Sequence, residues 1–98
     1  MRFEFRNRGL ARLYTEERGA TRYPAEVVEA FFEVMAVIEA AVTEQELRNL
    51  KHLHFEKLKG KRKHQRSFRL HGGWRLVVEL LEDGEGRYFV IVEIVDYH

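Results

Sequence analysis

The sequence predicts an α+β fold in which an N-terminal strand and helices pack on a C-terminal antiparallel β-meander. Apolar residues recur at three- and four-residue spacing in the first half of the chain and at every second position in the second half. These spacings are the periods of a helix and of a strand. The chain has 98 residues, of which 45% are hydrophobic and 34% are charged. This length and balance predict one globular domain over residues 1–98.

The N-terminal half is predicted to contain one strand and three helices. Phenylalanine alternates with polar residues over positions 2–6, which predicts a short strand, and a short helix is expected to follow and to end before Gly19. Pro24 suits the first position of a long helix. Thr43 followed by Glu46 is a capping box that opens another short helix. The core-facing stripe of the long helix is expected to comprise Val27, Phe31, Val34, Met35, Ile38 and Val42.

The second half is predicted to form a three-stranded antiparallel meander with turns at residues 72–73 and 83–86. Apolar side chains fall on even-numbered positions between residues 68 and 94, so even-numbered side chains should face the helices. In the last strand, the residues expected on that face are Tyr88, Val90, Val92 and Ile94.

The turns also predict the register of the meander. A three-residue first loop pairs Leu70 with Trp74 and Arg69 with Arg75, which keeps apolar and charged side chains on separate faces. A three-residue second loop pairs Arg75 with Glu93. The chain end, including Tyr97, should then lie beside the first turn, on the odd-numbered face.

Charge is segregated along the chain, although the formal net charge is only +1. Residues 1–24 carry +3 and residues 25–47 carry −6, whereas residues 48–75 carry +9 and residues 76–98 carry −5. The strongly basic block, in which Glu56 is the single acidic residue, predicts a cationic face for an anion such as nucleic acid. The alternative is a solvated charged loop.

The composition excludes several function classes. The chain has no Cys, which excludes a disulfide scaffold and a thiolate zinc site and fits the reducing cytoplasm. It has no apolar signal region and no stretch apolar enough to span a bilayer, so we expect a cytoplasmic protein without membrane contact. Gly-rich phosphate loops and nucleophile elbows are absent from the sequence. His52 and His54 could supply two metal ligands, but no third ligand lies near them.

The remaining residue types suit RNA cleavage without a metal. Attack of a ribose 2′-hydroxyl on the adjacent phosphate needs a base, an acid and cations that stabilise the developing charge. Imidazole can serve in either proton role at neutral pH, and Arg and Lys bind phosphate. The alternatives are structural: Arg75 could pair with Glu93, Tyr97 could be a half-buried core aromatic, and His98 could be a frayed terminus.

Three segments resemble the HigB branch of the RelE/ParE toxin superfamily. They are the basic segment at residues 55–70, the Gly-Trp-Arg-Leu segment at residues 73–76, and the ending Val-Glu-Ile-Val-Asp-Tyr-His at residues 92–98. A chain that ends on Asp-Tyr-His about forty residues after a Leu-Lys-Gly-Lys-Arg stretch is a specific combination. His64 departs from the family pattern, which usually has Gly there.

The resemblance implies a RelE-like fold and a toxin of a type II toxin–antitoxin system that cleaves mRNA on the ribosome without metal or cofactor. The implied partners are the ribosome, mRNA and a HigA-like helix–turn–helix antitoxin, with operator DNA bound only through the antitoxin complex. The catalytic roles would fall on His54, Lys57, Arg75, Asp96, Tyr97 and His98. The RNA-binding residues expected in the basic block are Lys59, Lys61, Arg62, Lys63, Arg66 and Arg69.

Two other functions remain open from the sequence. The first is a gyrase-inhibiting toxin of the ParE type, which would bind a protein and have no nuclease centre. The second is a non-catalytic module that binds nucleic acid through the basic block alone. The Asp-Tyr-His ending argues against the first, because a binding protein does not need two proton-transfer groups and an aromatic ring at that point.

Overall fold

The structure is a computed structural model that describes residues 1–62 and 64–97, with the backbone alone at Lys61. It contains a five-stranded mixed sheet in the order β1-β5-β4-β3-β2. The strands are β1 Phe3–Phe5, β2 Glu56–Lys57, β3 Gln65–His71, β4 Trp74–Asp83 and β5 Gly86–Asp96, and the helices are α1 Arg8–Glu16, α2 Ala25–Ala40 and α3 Glu44–Asn49. The predicted α+β class and the antiparallel meander of β3 to β5 are confirmed. In addition, β1 pairs parallel with β5, and β2 pairs antiparallel with β3.

Helix α2 buries the predicted stripe except at its end. Its buried residues are Val27, Phe31, Val34, Met35 and Ile38. Val42 is 79% exposed, so its predicted place in the core was wrong. The helix ends because Ala41 is extended and the Val42 N–H donates to the Glu46 carboxylate, at 2.9 Å, as the next helix begins. Pro24 is the N-cap rather than the first helical residue. None of the helices in the described ranges is long and apolar enough to cross a membrane.

The last strand departs from the predicted alternation. Phe89 and Ile91 belong to the core cluster, whereas Tyr88, Val90 and Val92 do not. The cause is a β-bulge: Val77 pairs with Glu93 and Val78 pairs with Ile91, which leaves Val92 without an opposite residue. An extra residue in one strand reverses the side-chain alternation beyond it. Ile94, which follows the bulge, lies in the core as predicted.

The first hairpin keeps one predicted pair and loses another. Arg69 pairs with Arg75 as predicted, but His71, and not Leu70, lies opposite Trp74 because the register shifts within β3. Gly72 has a φ of +57°, a conformation that favours glycine and permits the tight turn.

The second hairpin has a shorter loop than predicted. Asp83 pairs with Gly86, so the loop has two residues. Arg75 therefore pairs with Val95, and the predicted pairing of Arg75 with Glu93 was wrong. The chain end nevertheless lies beside the first turn, since the Tyr97 N–H donates to the Gly73 carbonyl oxygen at 2.8 Å.

The sheet has two chemically different faces. On the helix side, Phe68 is fully buried and stacks on Phe55, with ring centroids 4.6 Å apart, and meets Phe89 edge to face. We call the opposite side the open face. Its residues are Glu56, Gln65, Ser67, Arg69, Arg75, Val77, Glu79, Glu93 and Tyr97, as assigned from the strand pairing.

Two valines test the end of α2. Val27 is fully buried and Val42 is exposed, so Val27→Ala should lower the free energy of unfolding by about 2 kcal/mol and Val42→Ala by less than about 0.5 kcal/mol. Urea unfolding monitored by circular dichroism measures both values. Equal losses would contradict the observed helix end.

Candidate functional site

Arg75 is fixed at the centre of the open face. Its Nε donates to Ser67 Oγ at 2.7 Å and its Nη2 donates to the His54 carbonyl oxygen at 2.5 Å. The side chain is only 17% exposed and lies 3.9 Å from a Glu56 carboxylate oxygen. Nη1 makes no hydrogen bond to any residue in the described ranges. The guanidinium group is therefore held in one orientation with one nitrogen available to a bound anion.

His54 lies next to Arg75. It follows a short 3₁₀ turn, Lys51–Leu53, and has a φ of +44°, a left-handed conformation that is uncommon outside glycine and is stored mainly at functional sites. Its Nδ1 is 3.9 Å from Glu56 Oε1, and the side chain is 47% exposed. The imidazole, the carboxylate and the guanidinium group thus form one cluster at the open face.

Arg62 connects Tyr97 to the same face. Its Nη1 donates to the Tyr97 hydroxyl oxygen at 3.1 Å and its Nη2 donates to Glu93 at 2.9 Å. The third nitrogen, Nε, donates to Gln65 Oε1 at 2.7 Å. Tyr97 is 43% exposed, so it is a surface residue, unlike the half-buried core aromatic that was the alternative. Glu93 is paired with Arg62, which also removes the alternative pairing of Glu93 with Arg75.

Glu79 supports Arg62 from below. Its side chain is 9% exposed and accepts hydrogen bonds from both terminal nitrogens of Arg6, at 2.6 and 2.8 Å. Gln65 Nε2 also donates to Glu79, at 3.1 Å. The hydrogen bonds from Arg6, helped by Gln65, lower the pKa of Glu79 to about 2 against the effect of burial. A continuous chain of contacts therefore runs from Arg6 through Glu79, Gln65 and Arg62 to Tyr97.

Other predicted site residues lie outside this cluster. Lys57 pairs with Arg66, and alternation places both on the opposite side of the sheet from Ser67 and Arg75. Asp96 pairs with Trp74 and, as the residue before Tyr97, lies on the other side of the strand. Lys59 and Arg69 are exposed, and Arg69 lies directly across from Arg75. Lys63, His98 and the Lys61 side chain lie outside the described residues.

Several residues in the cluster are absent from the prediction. They are Glu56, Gln65, Ser67, Glu79 and Glu93. Glu56 had a signal in the sequence, because it is the single acidic residue of the basic block. The others depend on strand pairing and on the path of the segment before β3. Over residues 1–62 and 64–97, no three His, Asp or Glu side chains group as metal ligands.

Comparison with known proteins assigns the chain to a family. A family model described as the RelE-like toxin HigB of a type II toxin–antitoxin system matches residues 3–98. The chain belongs to the HigB-like toxin family. This confirms the predicted resemblance for nearly the whole length of the toxin, including its N-terminal strand and helices.

Solved structures share the fold of the toxin. A YoeB/ParE toxin from Agrobacterium tumefaciens is similar with a TM-score of 0.60 and 14% identity, and both chains are covered completely. A chain of the RelBE2 toxin–antitoxin complex from Mycobacterium tuberculosis matches with a TM-score of 0.46 and 20% identity, over 98% of the toxin and 96% of that chain. No curated protein is significantly similar. The first structural match confirms the RelE-like fold.

Acid should weaken the toxin through Glu79. A carboxyl group whose pKa falls on folding stabilises the native state above its unfolded pKa, and this stabilisation is lost as the pH falls through the folded pKa. The pKa of Glu79 falls from 4.5 to about 2. The contribution is therefore complete above about pH 5 and declines toward about pH 2. It amounts to about 2 kcal/mol after allowance for the half-exposed Arg6.

Urea unfolding of the toxin and of Glu79→Gln between pH 2 and 7 measures this contribution. The difference in the free energy of unfolding should be constant above about pH 5 and should shrink steadily below about pH 4. A difference that does not change with pH would show that Glu79 is not ionised through its contacts with Arg6 and Gln65.

Proposed function

We propose that the toxin is a ribosome-dependent mRNA endonuclease that inhibits translation by cleaving the message at the open face. The observation that carries this proposal is the fixed Arg75 guanidinium group, which has one available nitrogen and lies beside an exposed imidazole. Arg62 and Tyr97 extend the same surface. Membership of the HigB-like family supports the same activity.

The reaction is an internal transfer at phosphorus. The 2′-oxygen forms a bond to the adjacent phosphorus, and the bond from phosphorus to the 5′-oxygen of the next nucleotide breaks. A base takes the proton of the 2′-hydroxyl, and an acid gives a proton to the leaving 5′-oxygen. The products are a 2′,3′-cyclic phosphate and a 5′-hydroxyl, and no redox partner is required.

The site residues divide among the three requirements of this reaction. Arg75 Nη1 would bind a nonbridging oxygen of the scissile phosphate and stabilise its charge as the transition state develops. His54, beside the Glu56 carboxylate, is the candidate base. His98 is the candidate acid, as the family resemblance implies. The Tyr97 ring would stack on an unpaired base, and its hydroxyl is positioned by Arg62.

The remaining predicted residues would serve substrate binding. Asp96 would orient the chain end that carries Tyr97 and His98. Lys57, which lies on the other face of the short strand β2, would contact the phosphate backbone together with the exposed basic residues around it. These RNA-binding residues are Lys59, Lys61, Arg62, Lys63, Arg66 and Arg69.

An antitoxin is the proposed partner protein. The toxin's family belongs to type II toxin–antitoxin systems, and one structural match is a chain of a toxin–antitoxin complex. We propose that a HigA-like antitoxin with a helix–turn–helix neutralises the toxin and that operator DNA is bound through that complex.

Tyr97→Phe tests the site against a matched variant, Tyr88→Phe. Both remove one hydroxyl group from the last strand or its end, but Tyr88 packs against Arg2, away from the proposed site. In a purified translation system with chelator present, the wild-type toxin should cut mRNA within translated frames and only with ribosomes. Tyr97→Phe should lower the cleavage rate about tenfold or more, and Tyr88→Phe should leave it unchanged.

The outcomes of that experiment separate the functions. Intact messages together with DNA breaks in cells would contradict the proposal and indicate gyrase inhibition. Ribosome binding without any cleavage would indicate a non-catalytic module. Equal loss of cleavage in Tyr97→Phe and Tyr88→Phe would mean that the proposed site is misplaced.

Arg75→Gln should abolish most of the activity, because Gln has the hydrogen-bonding capacity but not the positive charge that a phosphate transition state needs. We expect a fall of about a hundredfold or more in the single-turnover cleavage rate. Arg87→Gln is the matched control, since Arg87 pairs with Glu44 far from the open face. A similar fall in both variants would indicate a general charge effect.

A further inference from the structure

A second cationic feature lies on the helix side of the sheet. A cavity of about 160 Å³ is lined by Arg12, Arg18 and Arg22, together with Asn7, Gly9 and Tyr23. It lies between the first turn of α1 and the segment that leads into α2. This volume holds several waters, each of which takes about 30 Å³ in the liquid, so it can accept a phosphate group with part of its hydration.

The charge of this cavity is largely uncompensated. Arg12 and Arg22 form no ion pair with any residue in the described ranges, and Arg18 is paired only with Glu16, at 3.5 Å. No acidic residue lines the cavity within the described part of the chain. Three guanidinium groups that converge without carboxylates repel one another and raise the local positive potential, which a bound anion relieves.

Gly9 keeps the cavity open. A Cβ atom at this position would lie 3.2 Å from Asn7 Oδ1 and 3.7 Å from Arg22 Nη1. Arg22 therefore lies against the first turn of α1, at the place where a side chain on residue 9 would meet it. Asn7 Oδ1 already accepts a hydrogen bond from the Leu10 N–H, so the cavity presents mainly donors. The helix N-terminus adds its own positive end.

The cavity lies at the same end of the sheet as the proposed site. Strand β1 runs parallel to β5, with Phe5 opposite Ile91, so the chain enters the cavity at Asn7, at the level of the end of β5. On the other side, Tyr23 packs edge to face on Trp74, with centroids 6.0 Å apart. Trp74 in turn pairs with Asp96, directly before Tyr97.

We propose that this arginine cavity, formed by Arg12, Arg18 and Arg22, binds a phosphodiester group of RNA at a position other than the scissile one. This inference rests on the proposed function, because it extends the path of the RNA from the open face around the end of β5. The bound phosphate has two possible sources, the message or ribosomal RNA. The experiments below distinguish them.

Direct binding of phosphate to the cavity is measured by NMR with ¹⁵N-labelled arginine side chains. Potassium phosphate should shift the Nε–H signals of Arg12 and Arg22 and saturate, whereas sodium chloride at equal ionic strength should not. Arg8 is the internal control, since it is exposed on the same helix and does not line the cavity. The absence of a saturating shift, or an equal shift with chloride, would overturn the proposal.

The RNA arms compare Arg12→Gln/Arg22→Gln with Arg8→Gln/Arg48→Gln, which removes the same charge elsewhere. Both double variants also carry Tyr97→Phe to limit cleavage. The cavity variant should bind fluorescein-labelled single-stranded RNA or purified 70S ribosomes about five- to tenfold more weakly than the control, and its salt dependence should be shallower by about 0.7 per lost phosphate contact. An effect on the free RNA identifies the message, and an effect on ribosomes alone identifies ribosomal RNA.

These results are separable from the test of catalysis. Equal RNA and ribosome binding by the two double variants would overturn the cavity proposal even where the wild-type toxin cleaves mRNA, as would a loss of antitoxin affinity alone. If the cavity variant loses RNA binding and the wild-type toxin does not cleave, the cavity proposal holds and the proposed nuclease activity fails.

Discussion

The β-bulge at Val92 is the constraint on which the rest of the site depends. Phe89 and Ile91 lie in the core before the bulge, and Tyr97 lies on the open face after it, although all three have odd numbers. In a regular strand, residues separated by an even number share one face. The bulge therefore allows one strand to fill the core with one half and to present site residues with the other.

A buried carboxylate then orders the open face. Glu79 would be costly to bury without partners, and Arg6 and Gln65 supply them. Gln65 uses its remaining oxygen to accept from Arg62, which reaches the Tyr97 hydroxyl group and Glu93. The first strand, the basic segment and the chain end are thus held in one hydrogen-bonded network, and Arg75 is held separately by Ser67 and His54.

The sequence was sufficient for features that depend on periodicity. The amphipathic stripe of α2, the capping residue Thr43 and the two glycine turns follow from local chemistry, and they were predicted correctly. The bulge was not predictable, because either alternation of the last strand presents apolar residues, and only packing against the helices selects Phe89 and Ile91. Val42 was misplaced because the helical spacing continues beyond the residue at which the next N-cap ends the helix.

The candidate site was predictable in its residue types and less so in its contacts. Arg75, Tyr97 and His54 were identified from the residue types that the chemistry needs and from the family resemblance, and the structure places all three on or beside the open face. The anchoring residues Ser67 and Gln65 carry no chemical signal of their own, since a buried serine or glutamine is recognised only once its neighbours are known. Lys57 shows the same limit: alternation on a two-residue strand places it opposite Arg75.

The central claim is that the scissile phosphate binds at the open face between Arg75 and Tyr97. Cryo-electron microscopy of the toxin on a ribosome, with an mRNA that carries a 2′-deoxynucleotide at the cleavage position, tests it most directly. We expect a phosphate oxygen within hydrogen-bond distance of Arg75 Nη1, with an mRNA base against the Tyr97 ring. An mRNA that follows another surface of the toxin and leaves both side chains unoccupied would contradict the account.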